Sequence, residues 1–406
     1  MRRSKARHPK LLVAFVLLAA GLAACDGKSP GAGGAGGDGS AEQGPDVVRI
    51  AVCGPMTGSA AAFGEMIKNA AKLKEREVND AGGITVGGRK LRVEAVVFDD
   101  KGDTTEAANV ARKVSSDDSL RLVIGHFNST CSLAAKDAYN RVGIVEFSPG
   151  STNVDVCRGG PFTFRNLYRD DFQGQQIATY HARILKLTRI AVLYDNDDYG
   201  KGLMQSFTQQ ATKDGLRIVA SVPYLRERTQ DFKPLVQQAK DAGAEGIFVA
   251  GLYNEAALIT KTARNDLQMT CSIFGGDGVM SPTYITNAGK AAEGARVATP
   301  FLVHEGSGGP EAKAFVESFK AMHKKEPDTW AALTYDAFGM ALAAIEKAGL
   351  DRQAIRDQLA SARDEASGYR GVTGVTYFDA EGDCYSKPVF VAIVKDGAFV
   401  PAEQLQ

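Results

Sequence analysis

Two short hydroxyl-rich stretches, Asn128-Ser129-Thr130 and Pro149-Gly150-Ser151-Thr152, have the chemistry of a small anion site. Ser129 can offer its hydroxyl while the first N–H groups of a following helix point at the same spot. Gly150 lets the backbone come close, Ser151 adds a hydroxyl to the same loop, and Thr152 supplies a second donor at its end. Such a set suits a carboxylate. Each stretch also has a plainer local reading: Ser129 or Thr130 as a helix N-cap, and Pro149–Thr152 as a turn. Groups for bond-making chemistry are missing. There is no H-E-x-x-H, no G-x-S-x-G and no phosphate-binding glycine loop. The histidines, His8, His126, His181, His304 and His323, share no metal-ligand spacing. His126 stands beside the first stretch and can be a base or a strand-end residue bonded to its surroundings; the second is the expectation. No metal, no cofactor and no catalytic residues are expected, so the chain reads as a binder and not as an enzyme.

The elements that must position these residues are legible around them. Leu122–Gly125 is an apolar run of buried-strand length, and Ile144–Ser148 is another. Between them Leu133, Ala134, Ala138 and Tyr139 recur with helical spacing. Strand, helix and strand in that order predict two parallel strands whose following loops emerge at one sheet edge. Ligands sit outside the carboxyl ends of such strands. The same alternation begins at Val47, with a strand over Val48–Cys53, a helix over Gly64–Asn79, a hairpin at Gly87-Gly88 and a helix over Thr104–Ser115. It restarts at Arg189–Tyr194, with a loop Asp195–Gly202 and helices over Leu203–Asp214 and Phe232–Ala242. Strands follow at Gly246–Gly251 and Cys271–Gly275. Two β/α series predict an α/β protein of two doubly wound domains. Helical segments over Glu311–Lys324, Trp330–Ala348 and Arg352–Ala360 have no sheet of their own. They are expected to return and cover the first domain, so the chain crosses between domains more than once.

The address is written at the start. Residues 1–24 hold Arg2, Arg3, Lys5, Arg7 and Lys10, no acid, and the apolar run Leu11–Ala20. This is a secretory signal, too short for a convincing spanning helix. Leu22-Ala23-Ala24-Cys25 resembles a bacterial lipobox, which makes Cys25 the lipidated first residue of the mature chain. Residues 26–46 are rich in Gly, Ala and Ser with Pro30 and Pro45 and hold no large apolar side chain, a composition expected to form a flexible tether reaching roughly 25 Å. Overall the 406 residues carry 48 basic and 48 acidic side chains. Without the basic head the rest is slightly acidic, which excludes the basic patch of a nucleic-acid binder. Five cysteines remain beyond Cys25, none in CxxC spacing. In an oxidising compartment some should pair; Cys131 with Cys157 is the expected pair, because both flank the hydroxyl-rich loops.

Taken together, several motifs resemble the branched-chain amino-acid-binding (Leu/Ile/Val-binding-like) proteins of bacterial ABC importers. They are Ile50-Ala51-Val52 with Gly54-Pro55-Met56-Thr57-Gly58, Asn79-Asp80-Ala81-Gly82-Gly83-Ile84, Val123-Ile124-Gly125-His126 with Ser129, and Ser148-Pro149 with Thr152. Tyr194-Asp195 with Asp198-Tyr199-Gly200-Lys201-Gly202 and Thr334-Tyr335-Asp336-Ala337 continue the pattern, so the resemblance covers roughly residues 47–400. It implies a type I periplasmic binding protein: two doubly wound α/β domains joined by three hinge strands, with the ligand in the cleft. Residues 47–165 with 301–374 would form domain I, and 166–300 with 375–406 domain II. By the same resemblance Ser129 and Thr152 are α-carboxylate donors and the Gly150 carbonyl accepts from the α-ammonium. Tyr199 and Tyr253 match tyrosines of the second domain, Asp277 stands where an acid meets the ammonium, and Phe63 and Trp330 wall the side-chain pocket.

The sequence departs from the pattern in three places. Asp99-Asp100-Lys101 lacks the first cysteine of the disulfide found in well-known members, and Asn128 stands near the second. Asp277 is one methylene shorter than the usual glutamate. Asn128 also brings an amide near the ligand side chain, which extends the expected ligand to a smaller or more polar amino acid, or an amide. The function implied is a monomeric, lipid-anchored extracytoplasmic receptor that hands an amino acid to an ABC permease and its ATPase. A sensory module of the same fold and a secreted α/β hydrolase or amidase are the alternatives.

Overall fold

The computed structural model describes residues 46–303 and 309–405 of the chain. The signal segment, Cys25 and all but the last residue of the glycine-rich segment lie outside them. In the first half, strand β1 (Val47–Gly54) leads to helix α1 (Ala61–Asp80). A hairpin follows, β2 (Ile84–Val86) and β3 (Arg89–Asp99), then α2 (Thr104–Ser115), β4 (Leu120–Ile124), α3 (Ser129–Val142), β5 (Val145–Ser148) and β6 (Thr163–Arg165). Among the described residues these six strands form one sheet, ordered β2-β3-β1-β4-β5-β6 and parallel except for the β2–β3 hairpin. Gly87 and Gly88 turn that hairpin at φ of 56° and 81°, the left-handed region the turn requires. β1 is apolar almost throughout because both its faces are covered. Ile50 and Val52 pack on Phe63 and Ile67 of α1, while Ala51 and Cys53 pack on α2 and α3 through Val110, Ala111 and Tyr139.

The second half contains α4 (Asp170–Arg183), β7 (Arg189–Asp195), α5 (Asp198–Lys213), β8 (Arg217–Tyr224), α6 (Lys233–Asp241), β9 (Gly246–Ala250) and α7 (Tyr253–Lys261). It continues through β10 (Ser272–Gly275), α8 (Pro282–Ala288) and β11 (Arg296–Thr299). Three helices follow, α9 (Pro310–His323), α10 (Thr329–Ala348) and α11 (Arg352–Ala360), and then a small ribbon, β12 (Tyr369–Gly371) with β13 (Gly374–Thr376). The chain closes with β14 (Phe390–Lys395) and β15 (Ala398–Pro401). The second sheet is ordered β15-β14-β11-β10-β9-β7-β8, with β14 and β15 antiparallel at one edge. The returning helices cover the first sheet's layer as expected: Phe315 and Phe319 of α9 and Ala331 and Ala332 of α10 pack with Ala70 and Leu73 of α1.

Two expectations change. The loop expected over Asp195–Gly202 is mostly helix, because Asp197 caps α5 by accepting the Gly200 N–H at 2.8 Å. Tyr199 therefore projects from a first helical turn and not from a loop. The Cys131–Cys157 pair does not form; both are buried free thiols. The face of α3 turned to the Asp155–Arg158 turn is that of Lys136, whose ammonium donates to the Asp155 and Arg158 carbonyls. Cys131 lies about 140° round the helix from it. The Cys157 thiol instead approaches the Gly382 carbonyl at 3.6 Å.

Candidate functional site

In each sheet the strand order reverses once, between β1 and β4 in the first and between β7 and β9 in the second. A crevice opens beyond the carboxyl ends of the strands at such a reversal. Both crevices contribute to one cavity. It is lined by Phe127, Asn128 and Ser129 after β4, Gly150 after β5, Tyr199 after β7, Leu252 after β9, Asp277 and Gly278 after β10, and Trp330 of α10. The empty space is about 270 Å³, including its opening to solvent.

At the first-sheet wall, Asn128 is the N-cap of α3 but makes no side-chain capping bond, and Ser129 is the first helical residue. The Ser129 hydroxyl accepts the N–H groups of Thr152 at 3.2 Å and Asn153 at 3.1 Å. It thus clamps the second hydroxyl-rich loop against α3, and its own proton is left for another acceptor. The Thr152 hydroxyl is buried and has no partner. Arg165 steadies this loop from behind, donating to the Ser151 and Asn153 carbonyls at 3.0 and 2.9 Å while paired with Asp383 at 2.6 Å. Ser151 is turned the other way; its hydroxyl donates to the Phe127 carbonyl at 2.9 Å and meets Ser132 at 2.9 Å, outside the cavity lining. His126 lies beneath, fully buried, with Nδ1 at 2.6 Å from Asp100 and Nε2 at 2.9 Å from the Tyr139 hydroxyl. Both ring nitrogens are committed to the framework, as its plainer reading had it.

The second-sheet wall is acidic. Asp277 is 1% exposed. Tyr199 donates to its Oδ1 at 2.7 Å, its backbone N–H donates to Gln173 at 2.9 Å, and its Oδ2 has no partner. Burial pushes the carboxyl up to about 6, against the Tyr199 hydroxyl and the nearby Gln173 amide, which pull it down. Burial and Asp277 together hold the Tyr199 phenol well above its usual range, so it stays a donor. Behind it Asp170 is fully buried with both oxygens unpartnered, and burial then Asp277 push its carboxyl well up. A buried, half-open carboxylate on one wall and the Ser129 hydroxyl at the N-terminus of α3 on the other make a cradle for a molecule with a positive and a negative end.

An aromatic group closes the remaining side. Trp330 is held by its indole N–H, which donates to the Met280 carbonyl at 2.9 Å, and by Asp328, which caps α10. Its ring meets Phe127 edge-on at 4.9 Å. Phe63 and Tyr253 are present but one layer back: Phe63 packs on Phe127 at 4.5 Å and on Tyr253 at 4.8 Å, and neither lines the cavity. Tyr253 acts elsewhere, donating to the Ser59 carbonyl at 2.7 Å and accepting the Ala62 N–H at 3.2 Å. Of the expected residues, then, Ser129, Gly150, Tyr199, Asp277 and Trp330 meet in the cavity, with Thr152 bonded at its edge. Phe127, Leu252 and Gly278 were missed. The signal for Leu252 and Gly278 was their place just past a strand end; Phe127 adjoined His126 and Asn128, and its aromatic bulk went unweighed.

The chain matches the periplasmic binding protein family model over residues 47–398. An amino acid binding protein of Pseudomonas aeruginosa is 34% identical over 310 residues, 75% of this chain and 79% of that one. The leucine-, isoleucine-, valine-, threonine- and alanine-binding protein of the same organism is 30% identical over 339 residues, covering 83% and 87%. Among solved structures, a leucine-binding protein of Thermotoga maritima is 34% identical with a TM-score of 0.79, over 88% of this chain and 98% of that one. A branched-chain amino acid transporter substrate-binding protein of Streptococcus pneumoniae, solved with isoleucine, is 29% identical with a TM-score of 0.81, over 88% and 99%. Two α/β sheets that meet at their reversal points, and a match that spans nearly all the described residues, have one reading: the chain belongs to the periplasmic binding protein family and has its type I fold.

Proposed function

We propose that this protein is an extracytoplasmic solute-binding protein that captures a single amino acid and delivers it to an ABC permease and its ATPase. The observation that carries the reading is the polarity of the cavity. The Ser129 hydroxyl, its proton uncommitted, stands on one wall and the half-open carboxylate of Asp277 on the other. An α-amino acid presents a carboxylate and an ammonium at a fixed short spacing, and each end needs a partner once buried. Relatives named for leucine, isoleucine, valine, threonine and alanine binding support the same class. Sheet membership supports the division into domain I (47–165 with 301–374) and domain II (166–300 with 375–406), with three crossings between them. The lipobox-like Cys25 supports anchoring of a monomer to a membrane surface.

Calorimetry of the mature chain against the common amino acids tests the reading. Tight one-to-one binding of at least one is expected, and recovery of that ligand unchanged after long incubation follows, because no nucleophile and base converge in the cavity. Failure of every amino acid to bind at millimolar concentration overturns the amino-acid reading. Protein-dependent product over many equivalents, detected by mass spectrometry, overturns the binding-protein reading in favour of a hydrolase.

A further inference from the structure

We propose that a pocket where the chain passes between its two halves is a second ligand site, which takes a small organic cation with an aromatic body and tightens amino-acid binding. The site itself is independent of the amino-acid reading above; its effect on that binding rests on it.

The chain passes three times between the two sheets and the helices that cover them. Two of the passages are residues 166–169, from β6 to α4, and residues 377–389, from the β12–β13 ribbon to β14. They are tied to each other by charge. Asp383 is buried and accepts Arg165 on one carboxylate oxygen at 2.6 Å and Arg169 on the other at 3.2 Å. The Arg165 N–H also donates to the Gly382 carbonyl at 3.2 Å. Beside this tie, the start of α4 and the later passage leave a pocket of about 530 Å³, room for a small organic molecule.

The lining selects the chemistry. Tyr168, Phe172 and Tyr385 bring three aromatic rings. Phe172 and Tyr385 are 40% and 59% exposed, two of the six large apolar side chains exposed among the described residues. Both belong to this one pocket, so a ligand there would cover apolar surface that water now wets. Most of the charges are matched. Arg169 is paired with Asp171 and Asp383, and Asp383 with Arg165. Asp379 is left over. One of its oxygens accepts the N–H groups of Glu381 and Asp383 at 2.9 and 3.0 Å, and among the described residues the other has no partner. Arg363 donates to the Asp379 backbone carbonyl and not to its carboxylate. Aromatic rings with one uncommitted carboxylate favour a cation over an anion.

Two routes join this pocket to the amino-acid cavity. Arg165, held by Asp383, donates to the Ser151 and Asn153 carbonyls, in the loop that Ser129 clamps through the Thr152 and Asn153 N–H groups. Tyr168 is the second. Burial, then the charges of Asp277 and Asp170, hold its unpartnered phenol well above the usual range, which sets this lining residue beside the acidic wall. A molecule that fits the pocket as it stands holds both passages in the arrangement in which the cavity walls meet. It should therefore favour the amino-acid-bound form.

Calorimetry of the full-length protein with phenethylammonium, and with phenylacetate as an anion of like body, tests this. The ammonium should bind one-to-one, and the anion about tenfold more weakly or not at all. Tyr385→Ala should weaken the ammonium about fivefold and Asp379→Asn about tenfold, while Asp277→Asn leaves it unchanged. Neither Tyr385 nor Asp379 is buried, and melting of each variant checks that its fold is kept. Saturating ammonium should tighten the best amino acid about fivefold or more in the unaltered protein, and Tyr385→Ala should show a smaller gain at the same concentration. No saturable ammonium binding at millimolar concentration, or binding that Asp277→Asn abolishes and Tyr385→Ala does not, overturns the site. An amino-acid affinity unmoved by bound ammonium overturns its effect on the cavity. If no amino acid binds, the proposed function falls, and the ammonium measurements still decide the pocket.

Discussion

Asp277 has one carboxylate oxygen tied to Tyr199 and one left open, at 1% exposure. An ammonium seated there would complete it. Removing one partner of a buried pair costs about 3–5 kcal/mol, and each 1.4 kcal/mol is roughly tenfold in dissociation constant. Asp277→Asn should therefore weaken amino-acid binding about a hundredfold or more, with the ligand-free melting temperature little changed, since an amide oxygen still accepts from Tyr199. A loss under threefold would reduce Asp277 to a turn residue. The pH dependence has a definite sign. With the carboxyl pushed up to about 6 in the free protein, ligand must displace a proton below that pH, so affinity should fall towards tenfold per unit under pH 6 and level off above 7. For stability the sign is opposite to that of a salt-bridged acid. The folded values of Asp277 and of Glu146, pushed up to about 7 by burial, lie above the ordinary carboxylate range near 4. Their contribution is full below pH 4 and is lost as pH rises through 6 to 7. Melting of the ligand-free protein between pH 5 and 8 should show this fall, and saturating ligand should reduce it.

At the scale of elements, the alternation of strands and helices was legible because parallel strands buried on both faces are near-continuous apolar runs, as β9 is and as β1 and β4 are apart from Arg49 and Arg121. The strand-end position of the site followed from that alternation. What was not legible were contacts set by long-range packing. Nothing local to Phe127 tells that its ring will lie against Gly150, twenty-three positions on, and nothing near Tyr253 tells that its hydroxyl will serve Ser59. The early start of α5 depended on a single cap, Asp197, in a run of polar residues that reads equally as loop. The Ser59 contacts carry a consequence for binding. The loop before α1 is grasped from the second half of the chain three times: its Ser59 carbonyl accepts from Tyr253 at 2.7 Å and from Asn254 at 2.7 Å, and its Ser59 N–H donates to Glu227 at 3.1 Å. These bonds tie the first half of the chain to the second and would break if the two walls parted. Tyr253→Phe removes two of the hydroxyl's bonds, each worth about 1 kcal/mol net. It should speed ligand dissociation roughly tenfold in stopped-flow measurements while leaving association and the ligand-free melting temperature nearly unchanged. A variant with an unaltered off-rate would show that this clasp plays no part in closure.

For the whole molecule, the cavity couples closure to delivery. A ligand seated in the cavity would touch walls built from both sheets, so it would favour an arrangement in which they are together, and a permease could sense that arrangement. Such a carrier works best when it is kept near its permease. No helix among the described residues is long and apolar enough to cross a membrane. The basic head, the short apolar run and Leu22-Ala23-Ala24-Cys25 propose a thioether-linked lipid on Cys25. One acyl chain binds a bilayer only marginally, at about 0.8 kcal/mol per buried CH₂, and stable anchoring takes a second chain or a basic patch. The glycine-rich residues after Cys25 offer neither basic patch nor apolar face, so the lipid would have to supply the whole anchor. Cys25→Ser should then release the protein from washed membranes into the soluble extracytoplasmic fraction, or leave it held by an uncleaved signal that mass measurement reveals. Amino-acid affinity should be unchanged, because the cavity draws on no residue before Phe127. A correctly cleaved Cys25→Ser protein that still sediments with washed membranes would mean that the folded part itself carries the attachment.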